Sequence, residues 1–190
     1  MKKYSVSPLN IIIIFSFILI DGSLYSLLAV AFSFLHECGH ILMLSVCHGR
    51  IRALKMHSRG IGLETNVLSY KNELFVSLAG PLVSFILFLC FLPFFKKSPM
   101  LLFCCFSNLI IFTLNILPIY PLDGGRVLFC ILCKKTELPT ALKIIKAVSF
   151  LFLLPLCLFS VIILLETGYN LSLLIISVYL LSMLIGVKNL

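Results

Sequence analysis

The chain has 190 residues, 61% of them hydrophobic and only 12% charged. Soluble domains hold about 45–50% apolar and about 25% charged residues, so composition excludes an ordinary soluble domain and leaves an integral membrane protein in a lipid bilayer. The net charge of +8 is accounted for by membrane topology, as shown below, and gives no ground for a nucleic-acid partner.

A membrane-crossing helix needs about 20 mostly apolar residues. Six stretches qualify: Pro8–Ile20, extending back towards Tyr4, then Leu24–Val46, Leu74–Phe95, Met100–Leu117, Ala147–Leu165 and Leu171–Val187. Turn-like "DGS" (Asp21–Ser23), "KKSP" (Lys96–Pro99) and "ETGYN" (Glu166–Asn170) separate three of the pairs. A cleaved signal peptide is a poor account of the first stretch, because apolar character continues beyond it and no A-x-A-like site follows. The expectation is an all-α polytopic membrane protein of about six transmembrane helices.

The second stretch carries "FLHECGHILML" (Phe34–Leu44). His36, Glu37 and His40 fit H-E-x-x-H, which on an α-helix places the two imidazoles one turn apart and about 40° apart around the axis. Both can reach one metal ion, and Glu37 beside them can polarise a bound water. The rival reading is two core histidines with a glutamate snorkelling to the interface. That reading must explain ionisable groups well inside a span, where such residues are costly and mark function by default.

Residues 49–72 form the only long polar stretch. "RIRALKMHSRGIGLETNVLSY" alternates weakly, with Ser58-Arg59-Gly60 as a turn. A short β-hairpin or re-entrant segment between spans 2 and 3 is expected. Its edge could pair with an unwound substrate; a basic loop on anionic lipid is the alternative.

The third stretch opens with "AGP" (Ala79–Pro81), and the fourth runs into "NILPIYPLDGGRVL" (Asn115–Leu128). Pro118 and Pro121 break that span near the level expected for the histidines, and Gly124 and Gly125 are expected to let the backbone bend sharply. Further on, Cys130 and Cys133 form a CxxC with no second pair to complete a four-thiolate site. They lie on the side read as cytoplasmic, where disulfides rarely persist. The other six cysteines lie in or at the ends of apolar spans and read as small hydrophobes.

Placing Lys2 and Lys3 in the cytoplasm puts 13 of the 15 Lys and Arg residues on that side, with only Lys96 and Lys97 outside. This is the bias of the positive-inside rule, and it makes both termini cytoplasmic. The Ile-, Phe- and Lys-rich usage hints at a low-GC bacterium, hence the bacterial cell membrane.

A catalytic zinc site takes three protein ligands and a water. Of the seven acidic residues, Asp21 and Glu166 fall on the wrong side, and Glu64, Glu73 and Glu137 lie in polar segments. His48 and His57 lie beyond the end of the H-E-x-x-H helix, among arginines. Asp123 remains as third ligand, in backbone that proline interrupts and that is tolerated at membrane depth where it lines a cavity. An ordinary Pro-Asp-Gly turn is the alternative.

These residues resemble the site-2 proteases, the zinc intramembrane protease family. The H-E-x-x-H motif is carried by His36, Glu37 and His40. The N-x-x-P-x-x-x-L-D-G pattern is carried by Asn115, Pro118, Leu122, Asp123 and Gly124, and "AGP" is a further point of likeness. The resemblance covers about residues 24–134 and implies a three-helix catalytic core with a broken fourth helix. It implies one zinc ion per chain on His36, His40 and Asp123, Glu37 as general acid/base, and Asn115 holding substrate or its developing oxyanion. The six-span layout suits the short branch of the family, which includes the sporulation-type enzymes. No PDZ-like insertion fits and no soluble tail follows Leu190, so a single membrane protease domain over 1–190 without PDZ or CBS regulation is expected. The implied partners are a transmembrane or membrane-associated protein substrate and an unidentified regulatory membrane protein. A metal-transporting or non-catalytic membrane protein using the same His/Asp site is the competing class; a transporter would repeat such ligands along several spans, and a dead homologue would lose one of the four residues.

Overall fold

The protein is described here by a computed structural model covering residues 23–47, 51–57, 60–65, 69–168 and 172–186. The first candidate span, Pro8–Ile20, lies outside the described residues. The chain divides into two compact units, Met1–Leu114 and Asn115–Leu190.

In the first unit, helix α1 spans Leu24–Val46. Ser23 caps it, accepting a hydrogen bond from the Ser26 amide at 3.3 Å and so satisfying one of the N–H groups that a helix start leaves bare. Its buried residues Phe32, His36, Gly39, His40 and Leu44 recur at helical spacing as one stripe. The opposite face is no more polar, with Phe34, Leu42 and Val46 exposed. A helix apolar all round belongs in hydrocarbon.

Helix α2, Tyr70–Phe91, runs on into a 3-10 turn at Leu92–Phe94 and packs against α1. Small residues make the approach close, as is common between membrane helices: a Cβ on Gly39 would lie 2.8 Å from both the Ala79 carbonyl oxygen and Val83 Cγ2. Phe32 closes the far end of the pair against Phe91, ring centroids 5.8 Å apart. Between the two helices, β1 (Ile51–His57) pairs antiparallel with β2 (Gly60–Thr65), Ile51 opposite Thr65 and His57 opposite Gly60. Helix α3, Pro99–Ile116, buries Cys104, Cys105 and Asn108 and meets α1 through Tyr25–Phe103 and α2 through Phe85–Phe112, both at 4.9 Å between ring centroids.

The second unit begins in the last turn of α3. After it the chain is irregular as far as Asp123, with a cis bond at Tyr120–Pro121. Ile119 is fully buried here and forms a core with Leu153, Leu180 and Leu184, while the Tyr120 amide donates to Ser149 Oγ at 2.9 Å. Helix α4 then starts at Asp123 and runs to Lys135. The expected sharp bend at Gly124 and Gly125 is absent: both lie in the first turn of α4, and the only positive-φ glycine among the described residues is Gly168. Their value is proximity. A Cβ on Gly125 would stand 2.5 Å from the Ile119 carbonyl and the Tyr120 amide nitrogen, and one on Gly124 would strike the carbonyls of Ile116 and Leu117. Helix α5, Leu138–Thr167, has Pro139 in its first turn and ends on Gly168 at φ 76°, the left-handed stop that glycine favours. Helix α6, Ser172–Gly186, packs on α5, where the buried hydroxyls of Ser160 and Ser177 meet at 3.3 Å. No disulfide forms among the described residues.

Four helical segments among the described residues are long and apolar enough to cross a bilayer: Leu24–Val46, Tyr70–Phe94, Pro99–Ile116 and Leu138–Glu166. The protein is an integral membrane protein. The fifth candidate, Ala147–Leu165, is the later part of α5, which begins nine residues earlier; the sixth corresponds to α6, of 15 residues.

Candidate metal centre

Helix α1 turns both motif histidines into its interface with α2. His36 is 5% exposed and His40 8%, and their Nε2 atoms face each other at 3.3 Å with the rings near perpendicular, at 79°. The rings are held from behind. His40 Nδ1 lies 2.7 Å from the Val76 carbonyl oxygen, and His36 Nδ1 lies 3.0 Å from Ser84 Oγ. A carbonyl can only accept, so His40 carries its proton on Nδ1 and presents the Nε2 lone pair. This is the usual arrangement of a metal-ligating imidazole, with the second nitrogen tied to a carbonyl or hydroxyl.

Helix α2 provides the floor as well as the supports. A Cβ on Gly80 would lie 2.5 Å from His40 Cε1 and 2.8 Å from His36 Nε2, and closer still to His40 Nε2. Only glycine leaves room for both imidazoles, which gives the "AGP" stretch a physical reason. Ser84, one helical turn beyond Gly80, is fully buried. Sequence reasoning missed both Ser84 and the Val76 carbonyl. The Gly80-to-Ser84 spacing of four residues was the available signal, since it puts both on one face of α2.

The other sequence-predicted residues are placed as follows. Glu37 is exposed, next to His36 on α1. Asp123 is buried at the first position of α4, where a carboxylate is favoured by the helix dipole. Asn115 is half-buried in the last turn of α3. His36, His40 and Asp123 each offer one ligand atom, and all three are buried. Two imidazoles and a carboxylate are a donor set that suits zinc with one position open for water, so the residues present fit that metal.

A model of the family described as Peptidase family M50 matches residues 95–156, a stretch that contains Asn115 and Asp123 and ends within α5. The H-E-x-x-H helix lies outside it. A zinc metalloprotease of Methanocaldococcus jannaschii is 33% identical over 108 residues, which cover 53% of this chain and 32% of that protein. The chain therefore spans about a third of that relative's length. The solved structure of a site-2 protease from the same organism superposes with a TM-score of 0.69 at 22% identity, covering 100% of this chain and 95% of that one. The chain resembles the site-2 proteases. At 22% identity the structural likeness speaks to the fold alone, and the sequence matches are to Peptidase family M50 and to one zinc metalloprotease.

Proposed function

We propose that the chain is a zinc-dependent intramembrane endopeptidase, hydrolysing a peptide bond in or next to a transmembrane segment of a membrane-protein substrate. The observation that carries this reading is the His36–His40 pair: two buried imidazoles whose Nε2 atoms converge while each Nδ1 is held by a separate group on α2. A pair built only for packing has no need of that orientation.

His36, His40 and Asp123 would hold one zinc ion, which would polarise the scissile carbonyl and lower the pKa of a bound water. Glu37 takes the proton from the attacking water and delivers it to the leaving amine. Its exposed position beside His36 leaves it open to a reacting peptide. Asn115 holds the substrate backbone or the developing oxyanion through its amide. A substrate helix hides its carbonyls in internal hydrogen bonds and must unwind before cleavage; an edge of the β1–β2 pair is the element of this chain suited to receiving the extended strand. Six spans, counting Pro8–Ile20 and α6, with both termini in the cytoplasm of a bacterial cell complete the reading, on the strength of the Lys and Arg bias.

The test separates ligand from catalyst. Glu37→Gln keeps zinc at about one per chain while cleavage of a co-expressed membrane substrate falls at least ~10²-fold, the lower range for general acid–base catalysis. Asp123→Asn weakens zinc itself, a neutral amide being the poorer ligand. Wild-type cleavage by Glu37→Gln ends the protease mechanism; full zinc and full activity in Asp123→Asn move the third ligand elsewhere.

A further inference from the structure

We propose that Ser149 on α5 is a positioning residue for the third zinc ligand, and that the α5–α6 pair seats the irregular segment leading into Asp123. The proposal rests on the zinc reading above. It extends that reading to two helices that carry none of the residues assigned so far to metal, catalysis or substrate.

Asp123 opens α4, and the residues before it have little regular structure of their own. Pro118 and Pro121 have no N–H to give. The Ile119 amide donates to the Leu117 carbonyl at 2.8 Å and the Leu122 amide to the Ile119 carbonyl at 2.7 Å, a tight local fold without a ladder. The Tyr120 amide instead leaves the segment and donates to Ser149 Oγ at 2.9 Å, 29 residues further along the chain. Ser149 is fully buried, and a main-chain donor that loses its acceptor in such a setting is costly.

The residue before that amide is keyed into the same two helices. Ile119, fully buried, forms a core with Leu153 on α5 and with Leu180 and Leu184 on α6. Ser149 and Leu153 are four residues apart, as are Leu180 and Leu184, so each helix offers one face to the segment. Ile119 and Tyr120 in turn bear the first turn of α4. A Cβ on Gly125 would lie 2.5 Å from the Ile119 carbonyl and from the Tyr120 nitrogen. Support therefore passes from Ser149 and the three leucines, through Ile119 and Tyr120, to the turn that holds Asp123. A metal site tolerates about 0.2 Å in its ligand distances, so a loosened seat is felt at the carboxylate.

The experiment uses the full chain in detergent micelles, stripped with chelator and reloaded with zinc. Zinc affinity is read by competition with a chromophoric chelator, and hydrogen exchange of the Tyr120 amide by NMR of tyrosine-labelled protein. Ser149→Ala is expected to weaken zinc ~10-fold, the lower end for an outer support of a metal ligand, and Ser149→Thr, which keeps the hydroxyl, to stay within about threefold of wild type. Ile119→Ala acts in the same direction as Ser149→Ala. Ser160→Ala, at a buried serine of α5 whose hydroxyl meets Ser177 instead, leaves affinity unchanged. Coupling between sites is reciprocal, so zinc loading of the wild type slows exchange of the Tyr120 amide by the same factor that Ser149→Ala costs in affinity. Wild-type affinity in Ser149→Ala, an equal loss in Ser160→Ala, or a Tyr120 amide whose exchange ignores zinc overturns the proposal. If Ser149→Ala does not fold, the exchange measurement on the wild type decides alone. A wild-type chain that takes up no zinc overturns the metal site itself, an outcome distinct from normal uptake by Ser149→Ala.

Discussion

Gly80→Ala adds one methyl group at the floor of the histidine pair. The new carbon would stand 2.5 Å from His40 Cε1 and 2.8 Å from His36 Nε2, where ordinary contact between carbon atoms is about 3.5 Å or more. The rings must therefore retreat by about 1 Å or the helices must separate. Neither ring is loose, since Ser84 and the Val76 carbonyl hold them from behind. Over-packing of this kind costs about 1–3 kcal/mol, which corresponds to roughly 5–150-fold in an equilibrium constant. Zinc–nitrogen bonds are held near 2.0–2.1 Å, with a tolerance of about 0.2 Å, so the strain falls on metal binding. The expected result is zinc affinity reduced ~10–100-fold by chelator competition. Exchanging glycine for alanine inside a helix by itself adds about 1 kcal/mol of stability, so loss of zinc without general unfolding separates the two effects. Wild-type zinc affinity in Gly80→Ala would refute the placement of the rings on Gly80.

Gly125→Ala drives a methyl into the backbone of Ile119 and Tyr120 and should lower the thermal midpoint in detergent, by about 1–3 kcal/mol of stability; an unchanged midpoint would mean that α4 does not pack against that segment. Asn108 is fully buried, its amide donating to the Cys104 carbonyl at 2.8 Å while its own carbonyl oxygen has no partner among the described residues. Asn108→Leu removes a desolvated acceptor worth about 1–3 kcal/mol and should leave the protein as stable or more so; a clear loss of stability would show that the oxygen is used. Reporter fusions should read cytoplasmic after Leu190 and external at Ser98, as the Lys and Arg bias requires, and the opposite pair of readings would invert the layout.

The histidine geometry was legible in the sequence because it is local. Once Leu24–Val46 is helical, positions 36 and 40 share a face whatever the remainder of the chain does. The supports of those rings were not legible, because they depend on which face of α2 meets α1. The hydropathy of α2 gives no guide to that, both faces being apolar, and only small residues such as Gly80 mark the side of closest approach. Helix α4 was hidden for a different reason. Gly124 and Gly125 are poor helix formers, and their propensity argues for a bend; close passage against Ile116–Tyr120 overrides it. The start of α5 was obscured by Lys143 and Lys146, which end an apolar stretch without ending a helix. Its 30 residues reach about 45 Å, more than the roughly 30 Å of hydrocarbon a span must cross.

The two histidines are steadied in ways that differ in their exposure to genetic change. His40 leans on the main-chain oxygen of residue 76, which every codon at that position supplies, so substitutions of Val76 that respect its volume keep the contact. His36 leans on the side chain of residue 84, which most codons would abolish. A saturation library of α2 scored for zinc retention should therefore be permissive at position 76 and severe at position 84. The helix also contains Pro81, which has no N–H to offer the carbonyl of Ser77. Position 81 thus supplies a second, independent locus at which replacement would redraw the hydrogen-bond ladder alongside the histidines without altering any group that touches them.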